Sequence, residues 1–102
     1  MKYIQFNLNR NNMFVSFLND LGGEKFTFTL RWDEYSECFF MDIQDLDGKY
    51  IISGRALVNN LIIRNQNLPY IMMFTHTQGE TYEPTIDNIM EFGLFYDDGE
   101  VE

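Results

Sequence analysis

The stretch from Phe26 to Trp32 limits the possible folds more than any other in the chain. Phe26, Phe28, Leu30 and Trp32 alternate with Thr27, Thr29 and Arg31. A period of two puts all four large side chains on one face of an extended strand. At about 25 cal/mol per Å² and about 150 to 250 Å² per aromatic side chain, burying three such rings contributes on the order of 10 kcal/mol before entropy is subtracted. That face must be covered, so Trp32 is expected to point inward with the others.

A hairpin follows it in sequence. Phe39, Phe40, Met41, Asp42 and Ile43 read as one strand and Tyr50, Ile51, Ile52 and Ser53 as the next. Aromatic and β-branched residues suit a half-buried pleated surface, and Asp45, Leu46, Asp47 and Gly48 between them supply side chains that tolerate a tight reversal and positive φ. The rest of the chain is expected to pack on this hairpin.

Other segments carry the same signature. Ile4, Phe6 and Leu8 alternate with polar residues, as an edge strand or pairing arm would. Met13 to Leu18 is a short apolar run, closed by Asn19, Asp20, Leu21, Gly22 and Gly23. Asn59 and Asn60 separate Leu57 and Val58 from Leu61, Ile62 and Ile63, which suggests a tight hairpin turn, because Asn visits left-handed backbone conformations at low cost. Tyr70 to Thr77 opens with five apolar residues, the pattern of a strand covered on both faces. Glu80 to Glu91 reads as an ordered loop, with one helical turn opened by Thr85 as the alternative. Phe92 to Tyr96 forms a last strand, and Asp97 to Glu102 an acidic tail expected to fray. The expected fold is all-β: one domain over residues 1–102, an antiparallel sandwich or partly closed barrel of about seven strands. Phe26, Phe28, Leu30, Trp32, Met41, Ile43, Leu57, Phe74, Leu94 and Tyr96 are its expected core, and Asp45, Asp47, Gly48 and Gly54 its turn positions.

Composition narrows the chemistry. Sixteen acidic against seven basic residues give a net charge of −9, which repels phosphate backbones and anionic headgroups, so nucleic-acid and membrane binding are not expected. The longest apolar runs fall far short of the roughly twenty residues that span a bilayer. The opening residues lack the apolar core of a secretory signal, so the product is expected to be made and kept in the cytoplasm. A lone Cys38 excludes an internal disulfide and any multi-cysteine zinc site.

No cluster announces catalysis, and neither an enzyme nor a cofactor is expected. Asp42, Asp45, Asp47 and Gly48 invite comparison with a calcium loop, but position twelve would be Ser53 rather than glutamate and the flanks are strands. His76 falls on the face of Tyr70, Met72 and Phe74, as a satisfied histidine at the end of a buried strand. Ser16, Ser36 and Ser53 lack a glycine-framed nucleophile context, and Asp33 with Glu34, or Asp97 with Asp98, lie in a loop or the tail. Binding to other proteins is what so aromatic a surface permits most easily.

The order of elements is itself informative. Leu30, Arg31, Trp32; Phe40, Met41, Asp42, Ile43; an acidic turn closing on Gly48; Ser53, Gly54; Leu57, Val58; Leu61; and a last strand Gly93, Leu94, Phe95, Tyr96 together resemble the small cyanophage-type plug proteins of bacteriophage tail baseplates. The resemblance runs over most of residues 27–96 and follows the family pattern poorly between Ile63 and Pro69 and from Glu80 to Glu91. It implies a non-enzymatic structural protein of a phage or prophage virion tail, closing the distal end of the tail tube at the hub. Hub and spike proteins would be its partners, with self-association as a further contact. The competing expectation is a small acidic inhibitor or immunity protein occupying a basic site on a toxin or nuclease. A carbohydrate-binding sandwich using Trp32 as a platform is weaker, since Trp32 should face inward.

Overall fold

The computed structural model describes residues 1–98. Among them are eight strands: β1 (Lys2–Ile4), β2 (Phe14–Leu21), β3 (Glu24–Asp33), β4 (Cys38–Gln44), β5 (Tyr50–Leu57), β6 (Leu61–Ile63), β7 (Met72–His76) and β8 (Phe92–Tyr96). All pairings between them are antiparallel, and they form two sheets ordered β2-β3-β4-β5 and β1-β8-β7-β6. The arrangement is a sandwich and not a closed barrel. Its extents are 34 × 32 × 20 Å. The short axis is what two sheets about 10 Å apart require once outer side chains are added.

The alternating face of β3 becomes one wall of the core. Phe26, Phe28 and Leu30 are buried with Met41 and Ile43 of β4, against Met72, Phe74, Phe92 and Leu94 of the other sheet. Phe17 stacks on Phe28 at 5.7 Å and Phe74 on Phe92 at 5.4 Å. Leu57 is buried at the end of β5. Trp32 lies on the inner face but at the strand's end, where the core runs out. It is therefore only half-buried, tilted over Phe39 at 4.8 Å, with its indole N–H donated to Glu34. Tyr96 is likewise half-buried and stacks on Tyr70 at 5.4 Å.

The central hairpin closes on its own backbone. One Asp45 carboxylate oxygen accepts the Asp47 and Lys49 N–H groups, both at 2.9 Å. The Gly48 N–H donates to the Asp45 carbonyl at 3.0 Å, with Gly48 at φ 81. Asp47 follows Asp45 in the turn and is exposed. Two register shifts mark bulges in β5. At the first, Gly54 (φ 64) gives its N–H to Asp42 Oδ1 at 2.5 Å.

Several local expectations need correction. Asn59 and Asn60 do turn the chain, with Asn60 at φ 61, but the flanking segments do not pair. β5 ends one sheet and β6 ends the other, so this turn is a crossover between layers. Asn59 anchors it by donating its side-chain amide to the Glu80 and Tyr82 carbonyls at 2.7 and 3.0 Å. The first strand stops at Ile4, although Phe6 and Leu8 stay buried. β2 runs on to Leu21 before Gly22 and Gly23 turn it. β7 is not covered on both faces: Met72, Phe74 and His76 point inward, whereas Met73 and Thr75 do not. A two-layer sandwich has nothing to lay on the other side. The 80–91 segment is a loop ending in one 3₁₀ turn, Ile89–Glu91, with Ile86 and Ile89 buried. Asp98 pairs with Lys2 at 3.9 Å, and residues 99–102 of the acidic tail lie outside the described residues.

Candidate interaction surface

Register fixes what the outer face of the β1-β8-β7-β6 sheet presents. Tyr3 stands opposite Phe95, Phe95 opposite Met73, and Met73 opposite Ile62. The inward residues of the same strands are Ile4, Leu94, Phe74 and Ile63, so Tyr3, Phe95, Met73 and Ile62 form a continuous apolar row across the outside. Continuing the register by two residues brings Met1, Asp97, Ile71 and Arg64 alongside. Tyr3 is 42% exposed, Ile62 53%, Ile71 51% and Met1 57%. These four leave about 400 Å² of largely apolar surface contiguous, at the size where a patch on a soluble protein marks an association site. An open groove of about 310 Å³ runs through it.

Gly93 sets the shape of this face. Phe95 and Tyr3 lean over it so closely that a Cβ there would lie 2.6 Å from the Phe95 ring and 2.9 Å from Tyr3. Their centroids are 5.2 Å apart. The missing side chain lets two rings fold down onto the sheet, which flattens the row.

The opposite face differs. β2, β3 and β4 align Ser16, Thr29 and Asp42 in one outer row and Leu18, Thr27 and Gln44 in another. Ser16 and Thr29 hydroxyls meet at 3.1 Å, and the Arg31 guanidinium covers Phe40 at 5.0 Å. Exposed Phe14 stands opposite Arg31 and exposed Leu18 opposite Thr27, so their rows are broken by polar side chains.

The polar clusters are absorbed by the fold. His76, 4% exposed, accepts the Gln78 N–H at Nδ1 (2.9 Å), which places its proton on Nε2. Nε2 lies 3.0 Å from both Glu91 Oε1 and the Tyr82 hydroxyl, and Tyr82 donates to the same Glu91 oxygen. The hydrogen bond to Glu91 is the main reason the Tyr82 phenol is pushed up to about 12, and it holds Glu91 below the ordinary carboxylate range. Together these groups clamp the 80–91 loop to the end of β7. Arg10 does the same for the segment before β2, bonding Asp87 at 2.8 and 3.0 Å and Glu34 at 3.4 Å. Among the described residues no three His, Cys, Asp or Glu side chains converge as metal ligands. Cys38 is half-buried, its thiol 3.5 Å from the Ser36 hydroxyl.

Of the positions singled out in the sequence, Phe26, Phe28, Leu30, Met41, Ile43, Leu57, Phe74 and Leu94 lie in the interior, and Asp45, Asp47, Gly48 and Gly54 at the hairpin turn and its bulge. None of these contributes to the outer apolar row. The signal for that row is the unbroken apolar run Tyr70 to Phe74: in a two-layer fold, half of such a run has to face outward.

No curated protein matches the chain in sequence. A family model does, over residues 1–100, and its description is cyanophage baseplate Pam3 plug gp18. By that match, which takes in nearly the whole sequence, the chain belongs to the phage baseplate plug family and is a structural protein of the virion tail.

Proposed function

We propose that this chain closes the distal end of the tail tube at the baseplate hub, acting without catalysis and held by hub or spike proteins against the outer face of the β1-β8-β7-β6 sheet. The observation that carries the reading is the row Tyr3, Phe95, Met73 and Ile62 in a chain of the baseplate plug family. A plug must be rigid and must be gripped. The crossover at Asn59 and the clamps at His76 and Arg10 tie its loops down, and the apolar face supplies the grip.

Apolar contact predicts weak salt dependence, whereas an acidic inhibitor seated in a basic site would release its partner as salt rises. The test is co-purification of the chain with hub and spike proteins of the same phage, at low salt and at about 0.5 M, where the Debye length is about 4 Å. Wild type is expected to co-elute at both. The variant Y3T/I71T removes about 80 Å² of apolar contact, about 2 kcal/mol or roughly thirtyfold in affinity. Wild-type co-elution lost at high salt, or a double variant that binds as well as wild type, would overturn the reading.

A further inference from the structure

A second surface has a different chemistry. β5 and β6 are the terminal strands of the two sheets and lie on the same side of the sandwich, with a groove of about 520 Å³ between them. Half-buried Ile52, buried Ile63 and exposed Ile62, where the groove meets the outer apolar row, form its apolar part, and exposed Arg55 from one sheet and Arg64 from the other its charged part. The bulge at Gly54 leaves Ser53 to Ala56 exposed, so this part of β5 is uncovered on both faces. The Asn65 amide donates to the Ile51 carbonyl at 3.1 Å and ties the two edges together beside the opening.

Charge makes the groove selective. In a chain of net charge −9, no carboxylate among the described residues lines it, and neither arginine has an ion-pair partner among them. By contrast, the groove beside Arg10 is lined by Glu34, Glu37, Glu83 and Asp87. Two guanidiniums lining one groove beside exposed strand edges suit an extended segment that carries carboxylates: its backbone can add to an open edge, and alternate side chains, about 6.7 Å apart, can reach the arginines.

We propose that the β5–β6 groove binds an extended acidic segment of a neighbouring baseplate protein. The proposal rests on the reading that such neighbours hold the chain, and adds the chemistry of one contact that the apolar face does not supply.

The probe is a fluorescein-labelled seven-residue peptide alternating Glu with Val, and its Gln-for-Glu counterpart, followed by fluorescence anisotropy at low salt. Saturable binding of the Glu peptide is expected, weakened at least tenfold in R55Q/R64Q and at least tenfold for the Gln peptide, and unchanged in Y3T/I71T. Backbone amide shifts on binding should concentrate at residues 51–56 and 61–65. Absence of saturable binding, equal binding by R55Q/R64Q, or an equal loss in the control K49Q would overturn the proposal. Y3T/I71T changes no residue that lines this groove, and R55Q alone, which should weaken the Glu peptide at least threefold, changes none that lines the apolar face, so failure here and failure of the plug reading give different results.

Discussion

Adding a single methyl group at Gly93 should unsettle the outer face from below. Gly93 is in β8, where its backbone is extended and alanine is otherwise acceptable. In open space the change would stabilise the chain by about 0.5 to 1 kcal/mol, by reducing the freedom of the unfolded state. Here the new Cβ would lie 2.6 Å from Phe95 Cε2 and Cζ and 2.9 Å from Tyr3 Cε2, well inside the roughly 3.5 to 4.0 Å at which carbon atoms attract. Phe95 has to swing away, which forfeits its contact with Tyr3. Overpacking of this kind costs about 1 to 3 kcal/mol, and a lost aromatic pair about 0.5 to 1.5 kcal/mol. The net expectation for Gly93→Ala is a loss of about 2 kcal/mol. Urea unfolding followed by tryptophan fluorescence should show the midpoint falling by about 1 M with little change in slope, and heating a drop of about 5 to 10 °C. Phe95→Leu in the same background should return about 1 kcal/mol of that loss, because the smaller side chain makes room. A Gly93→Ala protein as stable as wild type, or losses that simply add in the double variant, would refute the claim that the two rings rest on a bare backbone.

Asp45→Ala removes the oxygen that accepts the Asp47 and Lys49 N–H groups. A loss of about 1 to 2 kcal/mol is expected by chemical denaturation, and no loss would mean that the turn holds without that carboxylate. Acid should weaken the fold in a defined window. Glu91 is held down chiefly by the Tyr82 hydrogen bond, Asp87 by Arg10 and Asp33 by Ser36. Carboxylates with lowered folded values contribute stability that is present above their ordinary values of 4.5 and 3.8 and is lost as pH falls through the folded ones. Glu91→Gln should flatten that acid limb, and an unaltered limb would remove Glu91 from the account. The sign reverses for Tyr82, whose raised value makes its contribution complete below pH 10 and lost as pH climbs towards about 12. Ultraviolet titration of the phenols should show a late transition near 12 that moves down in Glu91→Gln. Its absence would mean that this hydrogen bond does not form in solution.

Much of the sandwich is legible in local sequence. The β3 alternation gives its buried face directly, and Asp45, Asp47 and Gly48 mark the hairpin because that turn satisfies its own backbone. Where the outcome depends on distant partners, local pattern falls short. Asn59 and Asn60 mark a turn equally well whether the next strand returns to the same sheet or crosses to the other. The choice is made by β7, which pairs with β6, and by the Glu80 and Tyr82 carbonyls that hold Asn59. The apolar run before Thr75 looks like a strand covered on both sides, since sequence does not distinguish a third layer of the same chain from a surface left for a neighbour. Arg55 and Arg64 are nine residues apart with nothing between them to suggest a groove. Only the bulge at Gly54 and the crossover bring the β5 and β6 edges side by side.

The central claim is best tested by cryo-electron microscopy of intact tails from a phage that encodes this chain. The account predicts a two-sheet slab on the tail axis at the distal end of the tube, with Tyr3, Ile62, Met73 and Phe95 buried against a neighbouring protein. A slab at the baseplate periphery with that face open to solvent, or tails assembled without the chain, would contradict it.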